Sequence, residues 1–175
     1  MSDTRVALVL RTLGSVLAII GGLLLAVSAF LPWIRSTPGF VGDPTSVSVD
    51  TFSLMDVGDG IFFLAGGVLI AALGLLTTLS RPKAAPILLI LSGLAFGLFG
   101  LLEFNSIRDY VRAYSRNHCC DMPGFAMAEG IRWIYAGAAA TFLAGLILVG
   151  QRSLRARVGK TAIGVGAEQG EKGQP

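Results

Sequence analysis

Charge is what this sequence lacks over its longest stretches. From Thr12 to Ile34 there is not one Asp, Glu, Lys or Arg, and the same holds for Gly60–Ser80, Ala84–Leu102 and Trp133–Gly150. Only 14% of the 175 residues are charged, against 53% hydrophobic, where a soluble domain carries about 25% charged residues. Two cysteines, adjacent at Cys119 and Cys120, exclude a disulfide framework. No glycine-rich turn stands between a strand and a helix, so there is no nucleotide loop: Gly60, Gly66, Gly67 and Gly74 lie inside an apolar run. No cofactor is expected.

What is there is an apolar run repeated four times. Thr12–Ile34 would rise roughly 34 Å as a helix, enough for a hydrocarbon core of about 30 Å. It is longer than a signal-peptide core and ends in Leu-Pro-Trp-Ile rather than at a small-x-small cleavage site, so a retained helix is expected. Pro32 and Trp33 suit a helix end at the membrane–water boundary. The spacing predicts spans at about 12–34, 60–80, 84–102 and 133–150. The predicted fold class is an all-α, four-helix transmembrane up-down bundle occupying 1–160. Residues 161–175, Gly-rich and polar, are expected to be a flexible tail.

Small residues recur at four-residue steps: Gly14, Ala18, Gly22 and Ala26 in the first run, Gly93 and Gly97 in the third, Gly137 and Gly145 in the fourth. That spacing lines one helix face and lets another helix approach.

Between the spans lie two large loops, expected to form a small cap. In the first, Ser46–Phe52 alternates polar and apolar and reads as a short strand, with a hairpin to residues near Phe40 and Val41. Asp59 is placed as N-cap of the second helix. Asp50, Asp56 and Asp59 lack the regular spacing of calcium ligands and read as capping or solvated acids. In the second loop, Ile107, Tyr110, Val111 and Tyr114 follow i, i+3, i+4, i+7, with Arg108, Arg112 and Arg116 on another side. This amphipathic helix either extends the third span or lies along the surface.

Nine of the fourteen basic residues fall at the termini and in the Arg81–Lys83 turn. The positive-inside rule therefore predicts a multi-pass plasma-membrane protein with N- and C-termini cytoplasmic. The cluster Arg152, Arg155, Arg157 and Lys160 reads as an anchor to anionic membrane lipids; no nucleic acid partner is expected on so short a stretch. No ionisable residue stands well inside a predicted span. Glu103 and Arg132, at the outer ends of the third and fourth, either pair or each meet water.

Cys119 and Cys120 are the sharpest chemical feature. Vicinal cysteines close only a strained ring, and a second relay pair is absent, which disfavours thiol-redox chemistry. His118, Cys119, Cys120 and Asp121 in a row do not wrap one tetrahedral ion unaided, so no metal site is assigned.

Leu31-Pro32-Trp33 closing the first run, a polar outer loop, and Asp59-Gly60 opening a Gly-rich second run resemble the small four-helix integral membrane proteins abundant in actinobacteria. Some proteins of that sort are accessory subunits of mycobacterial membrane complexes, such as the Mce lipid-import transporter. The resemblance implies a fold and a compartment and transfers no catalytic residue. The expected function is non-catalytic, as an accessory or stabilising subunit of a larger membrane complex, not an enzyme. A small transport or lipid-handling protein is the alternative, and an extracytoplasmic thiol-redox protein using Cys119 and Cys120 the second.

Overall fold

A computed structural model of the chain describes residues 3–37, 50–80, 82–117 and 124–171. Helix α1 (Asp3–Ser28) is followed by strand β1 (Pro32–Thr37), strand β2 (Asp50–Ser53) and the short helix α2 (Leu54–Val57). Then come α3 (Gly60–Leu79), α4 (Ala85–Asn117), strand β3 (Gly124–Met127) and α5 (Gly130–Glu171). The protein is mostly helical, and α1, α3, α4 and α5 are each long and apolar enough to cross a membrane, over Arg5–Ser28, Gly60–Leu79, Ala85–Ser106 and Gly130–Leu154.

The outward faces agree with that. Leu79 is 80% exposed, Leu69 70% and Phe62 64%. A water-soluble monomer rarely leaves so much contiguous apolar surface open.

Helix α1 is central. It packs lengthwise against α3 on one side and α5 on the other, and α5 in turn packs against α4. These three contacts are made through small residues. The remaining neighbours, α3 and α4, are held apart by rings: Phe63 of α3 lies 5.6 Å from Phe96 and 5.4 Å from Phe99 of α4, centroid to centroid.

The first helix ends six residues earlier than its apolar run. Residues 30–34 are as apolar as the helix before them, but Pro32 and Trp33 enter β1 instead of closing α1. Trp33 packs within the protein. It is 2% exposed, its indole Nε1 donates to the Ser28 carbonyl at 3.2 Å, and its ring stands edge-on to Phe63 at 5.8 Å. Burying a tryptophan with its N–H satisfied favours turning the chain back over the bundle end.

Three short antiparallel strands then run in the order β2-β1-β3. Ile34 pairs with Phe52 and Met127, and Arg35 with Thr51 and Ala126. Among the described residues the partner of β2 is β1; the expected pairing with residues near Phe40 and Val41, and positions 46–49 of the expected strand, lie outside the described residues. The strand at Gly124–Met127 is not foreshadowed by any alternation in the sequence around it.

Capping also falls elsewhere than expected. Asp59 occupies the N-cap position of α3 but its side chain makes no capping bond. Capping occurs one turn earlier, where Asp56 Oδ2 accepts from both the Ser53 N–H and hydroxyl at 2.7 Å. Gly58, at φ 94°, then turns the chain from α2 into α3, a left-handed conformation that glycine adopts without steric cost.

Of the two alternatives for residues 107–116, α4 takes the first and continues unbroken to Asn117. Helix α5 likewise passes residue 160 and runs to Glu171, so the first part of the expected tail has a helical backbone. No proline interrupts either extension.

Candidate functional site

The bundle has one polar end inside its apolar frame, and Arg11 organises it. The span on α1 begins at Arg5 rather than at Thr12, which puts Arg11 about 9 Å along the helix axis. It falls in the first two turns of that candidate span, as Arg152 falls in the last turn of Gly130–Leu154.

The Arg11 guanidinium caps the end of α3. Its Nε and Nη2 donate to the Thr77 carbonyl at 2.9 and 2.7 Å, and Nη2 also to the carbonyls of Thr78 at 2.8 Å and Ser80 at 3.2 Å. These are carbonyls that a helix C-terminus leaves unpaired, where the helix dipole favours a cation. One turn along α1, the buried Ser15 hydroxyl lies 2.6 Å from the Thr77 hydroxyl, which itself donates to the Gly74 carbonyl at 2.6 Å. Thr77 has only one proton to give, so Ser15 is the donor between them.

Arg152 of α5 does the same for the next turn of chain, donating to the Pro82 carbonyl at 2.6 Å and to the Lys83 carbonyl. Between the two arginines is a cavity of about 370 Å³, lined by Arg11, Thr77, Lys83, Leu148, Gln151 and Arg152 with Pro82 and Pro86. Gln151 is buried.

The small residues pack as follows. Ala18, Gly22 and Ala26 turn to α3: a Cβ on Gly22 would come 2.5 Å from the Gly67 carbonyl oxygen, Ala18 Cβ faces Gly74, and the Ala26 backbone faces Gly67. Gly14 turns instead to α5, against Leu148 and Ala144. Gly137 meets α1 at Gly21 and Leu25, while Gly93 and Gly145 join α4 to α5, against Phe142 and against Ile90. Gly97 differs: an added Cβ would find only Ala138 Cβ, at 3.8 Å. It borders an open apolar groove of about 420 Å³ on the outer side of α4 and α5, with Leu94, Leu98, Tyr135, Ala139 and Phe142.

No protein-family model matches the chain, and no curated protein matches it.

Glu103 and Arg132 do not pair. An ion pair does join Arg108 and Asp109, adjacent on α4, at 4.0 Å. Arg132 is exposed and borders a shallow groove with Leu24, Trp133 and Ala136. Helix-end adjacency brings the right elements together, but the facing directions of the two side chains differ. His118, Cys119, Cys120 and Asp121 lie outside the described residues.

Three participants are not apparent from sequence. Gly21 falls outside the four-residue stripe, which looks along one helix, and its partner Gly137 belongs to another. Arg11 reads as a flank of its apolar run. Trp33 reads as a residue of the membrane boundary.

Proposed function

We propose that the protein is a non-catalytic integral membrane protein of the plasma membrane that serves as an accessory or stabilising subunit of a larger membrane complex. In this reading the four helices cross up-down-up-down with both termini cytoplasmic, and the short strands with α2 form an extracytoplasmic cap. The basic residues at the termini and the 81–83 turn support that orientation.

The observation that carries the proposal is the Gly97 groove. Small residues are the means by which helices approach one another in lipid, where no hydrophobic drive remains. Gly14, Gly21, Gly22, Gly67, Gly74, Gly93, Gly137 and Gly145 all face close neighbours within the chain. Gly97, with Ala139 exposed across the groove, is left over. A surplus small-residue groove on the lipid side fits a helix of another subunit. The resemblance carried by Leu31-Pro32-Trp33 and Asp59-Gly60 points the same way, toward an accessory role.

Tagged protein, solubilised from its own membranes in mild detergent, should bring down a stoichiometric membrane partner. Gly97→Leu fills the groove without disturbing a tight internal contact and should release that partner while the variant remains folded. Isolation of the wild-type protein alone would reject the proposal, as would full retention of the partner by Gly97→Leu.

A further inference from the structure

Three cations line the cavity at the terminal end of the bundle. Arg11, Lys83 and Arg152 line it, and no carboxylate is among its described lining residues. Two guanidiniums fixed around one space favour an anion between them.

The arginines are held in place with donors to spare. Arg11 directs Nε and Nη2 to the end of α3, and Arg152 directs both Nη atoms to the 82–83 turn. Among the bonds of the described residues, Arg11 Nη1 and Arg152 Nε remain to be given. Their carbonyl anchors fix them at little further entropic cost, as preorganised sites require.

The lining is partly apolar. Pro82, Pro86 and Leu148 stand beside the cations. Arg11 and Arg152 each lie within two turns of the end of a candidate span, Arg5–Ser28 and Gly130–Leu154, so the cavity sits where hydrocarbon gives way to headgroups. Its volume of about 370 Å³ lies at the small end of ligand sites, which run about 300–1,000 Å³. That suits a head and glycerol stem rather than a whole lipid.

We propose that this cavity binds the phosphodiester head of an anionic phospholipid, with Arg11 and Arg152 donating to phosphate oxygens and Lys83 adding charge at the mouth. This site is separate from the Gly97 groove and does not depend on the accessory-subunit proposal. It also differs from a general attraction of the basic C-terminal segment to a charged surface, because it names a fixed stoichiometric site.

The test uses the full-length protein in detergent. It is titrated with phosphatidylglycerol, with phosphatidylcholine and diacylglycerol of the same chains, and with inorganic phosphate. Binding is read by native mass spectrometry and by the shift in melting midpoint. One phosphatidylglycerol should be retained per chain, with diacylglycerol at least about tenfold weaker, the scale of one lost charge-assisted hydrogen bond. Arg152→Gln should weaken retention by a similar factor. Because Arg152 also holds the 82–83 turn, Lys83→Gln serves as a variant whose exposed side chain holds no part of the fold, and a several-fold loss is expected there. Equal retention of diacylglycerol and phosphatidylglycerol would overturn the proposal. So would undiminished retention in both variants. Stabilisation by inorganic phosphate without lipid retention would overturn it too, marking a soluble-anion site.

Discussion

Gly22 and Gly67 close on one another across α1 and α3: a Cβ placed on either would lie 2.5 Å from the other's carbonyl oxygen. The closeness is mutual and involves backbone, so neither side can yield by a rotamer change. Gly22→Ala or Gly67→Ala should therefore cost about 1–3 kcal/mol through overpacking, seen as a lower melting midpoint in detergent. Gly150, where an added Cβ would meet nothing within 4 Å, is the control, and Gly150→Ala should be neutral or slightly stabilising.

Trp33 fastens the strands and α2 to the bundle. Beyond its ring contact with Phe63, the Trp33 carbonyl accepts from the Ala128 N–H at 2.9 Å, and Gly130 lies against the indole so closely that a Cβ there would meet Trp33 Cδ1 at 2.5 Å. Trp33→Ala should cost about 3–5 kcal/mol. Hydrogen exchange should rise first in β1, β2 and β3, with α3 and α4 losing protection later.

Ser15 and Thr77 make a buried hydroxyl pair between α1 and α3. Such bonds inside membrane proteins average about 0.6 kcal/mol and reach about 1.7. Ser15→Ala, Thr77→Val and the double variant form a thermodynamic cycle. The expected coupling is within that range, and a value of zero would show the pair to be incidental.

Asp56 carries a pH signature. The Ser53 backbone N–H and then its hydroxyl, both donating to the carboxylate, hold Asp56 below the usual carboxylate range. A depressed folded-state pKa gives stability that is present above the unfolded value, about 3.9, and lost as pH falls through the folded value. Exchange in α2 should therefore quicken as pH drops below about 4, once the intrinsic pH dependence is divided out. Asp56→Asn should remove that response.

Much of the helical frame is legible in the sequence because it rests on one property that sequence displays directly, the absence of charge over long runs. What is not legible depends on partners distant in the chain. Residues 30–34 offer no polarity change to mark the end of α1 at Ser28, since Trp33 is buried against α3 and the start of α5. The pairing of Ile34 with Met127 joins segments more than ninety positions apart, and strands of six and four residues leave too short a pattern to announce it. The role of Arg11 depends on the Thr77 carbonyl, a backbone atom with no sequence signature. Glu103 and Arg132 fall on the helices expected of them, but the direction in which each side chain faces is set by how α4 and α5 are rotated about their axes.

The proposal that four apolar helices stand in hydrocarbon, with the cap outside and the termini inside, is tested most directly by accessibility. Single cysteines at Met55, Leu69 and Lys83, each in a chain carrying Cys119→Ser and Cys120→Ser, are treated with a membrane-impermeant maleimide in intact cells and then in opened ones. Met55→Cys, in α2 of the cap, should label in intact cells; Lys83→Cys only after opening; and Leu69→Cys, halfway along α3 and 70% exposed on the isolated chain, in neither. Labelling of Lys83→Cys on intact cells would invert the orientation, and labelling of Leu69→Cys under either condition would contradict the proposal outright by showing that face of α3 in water.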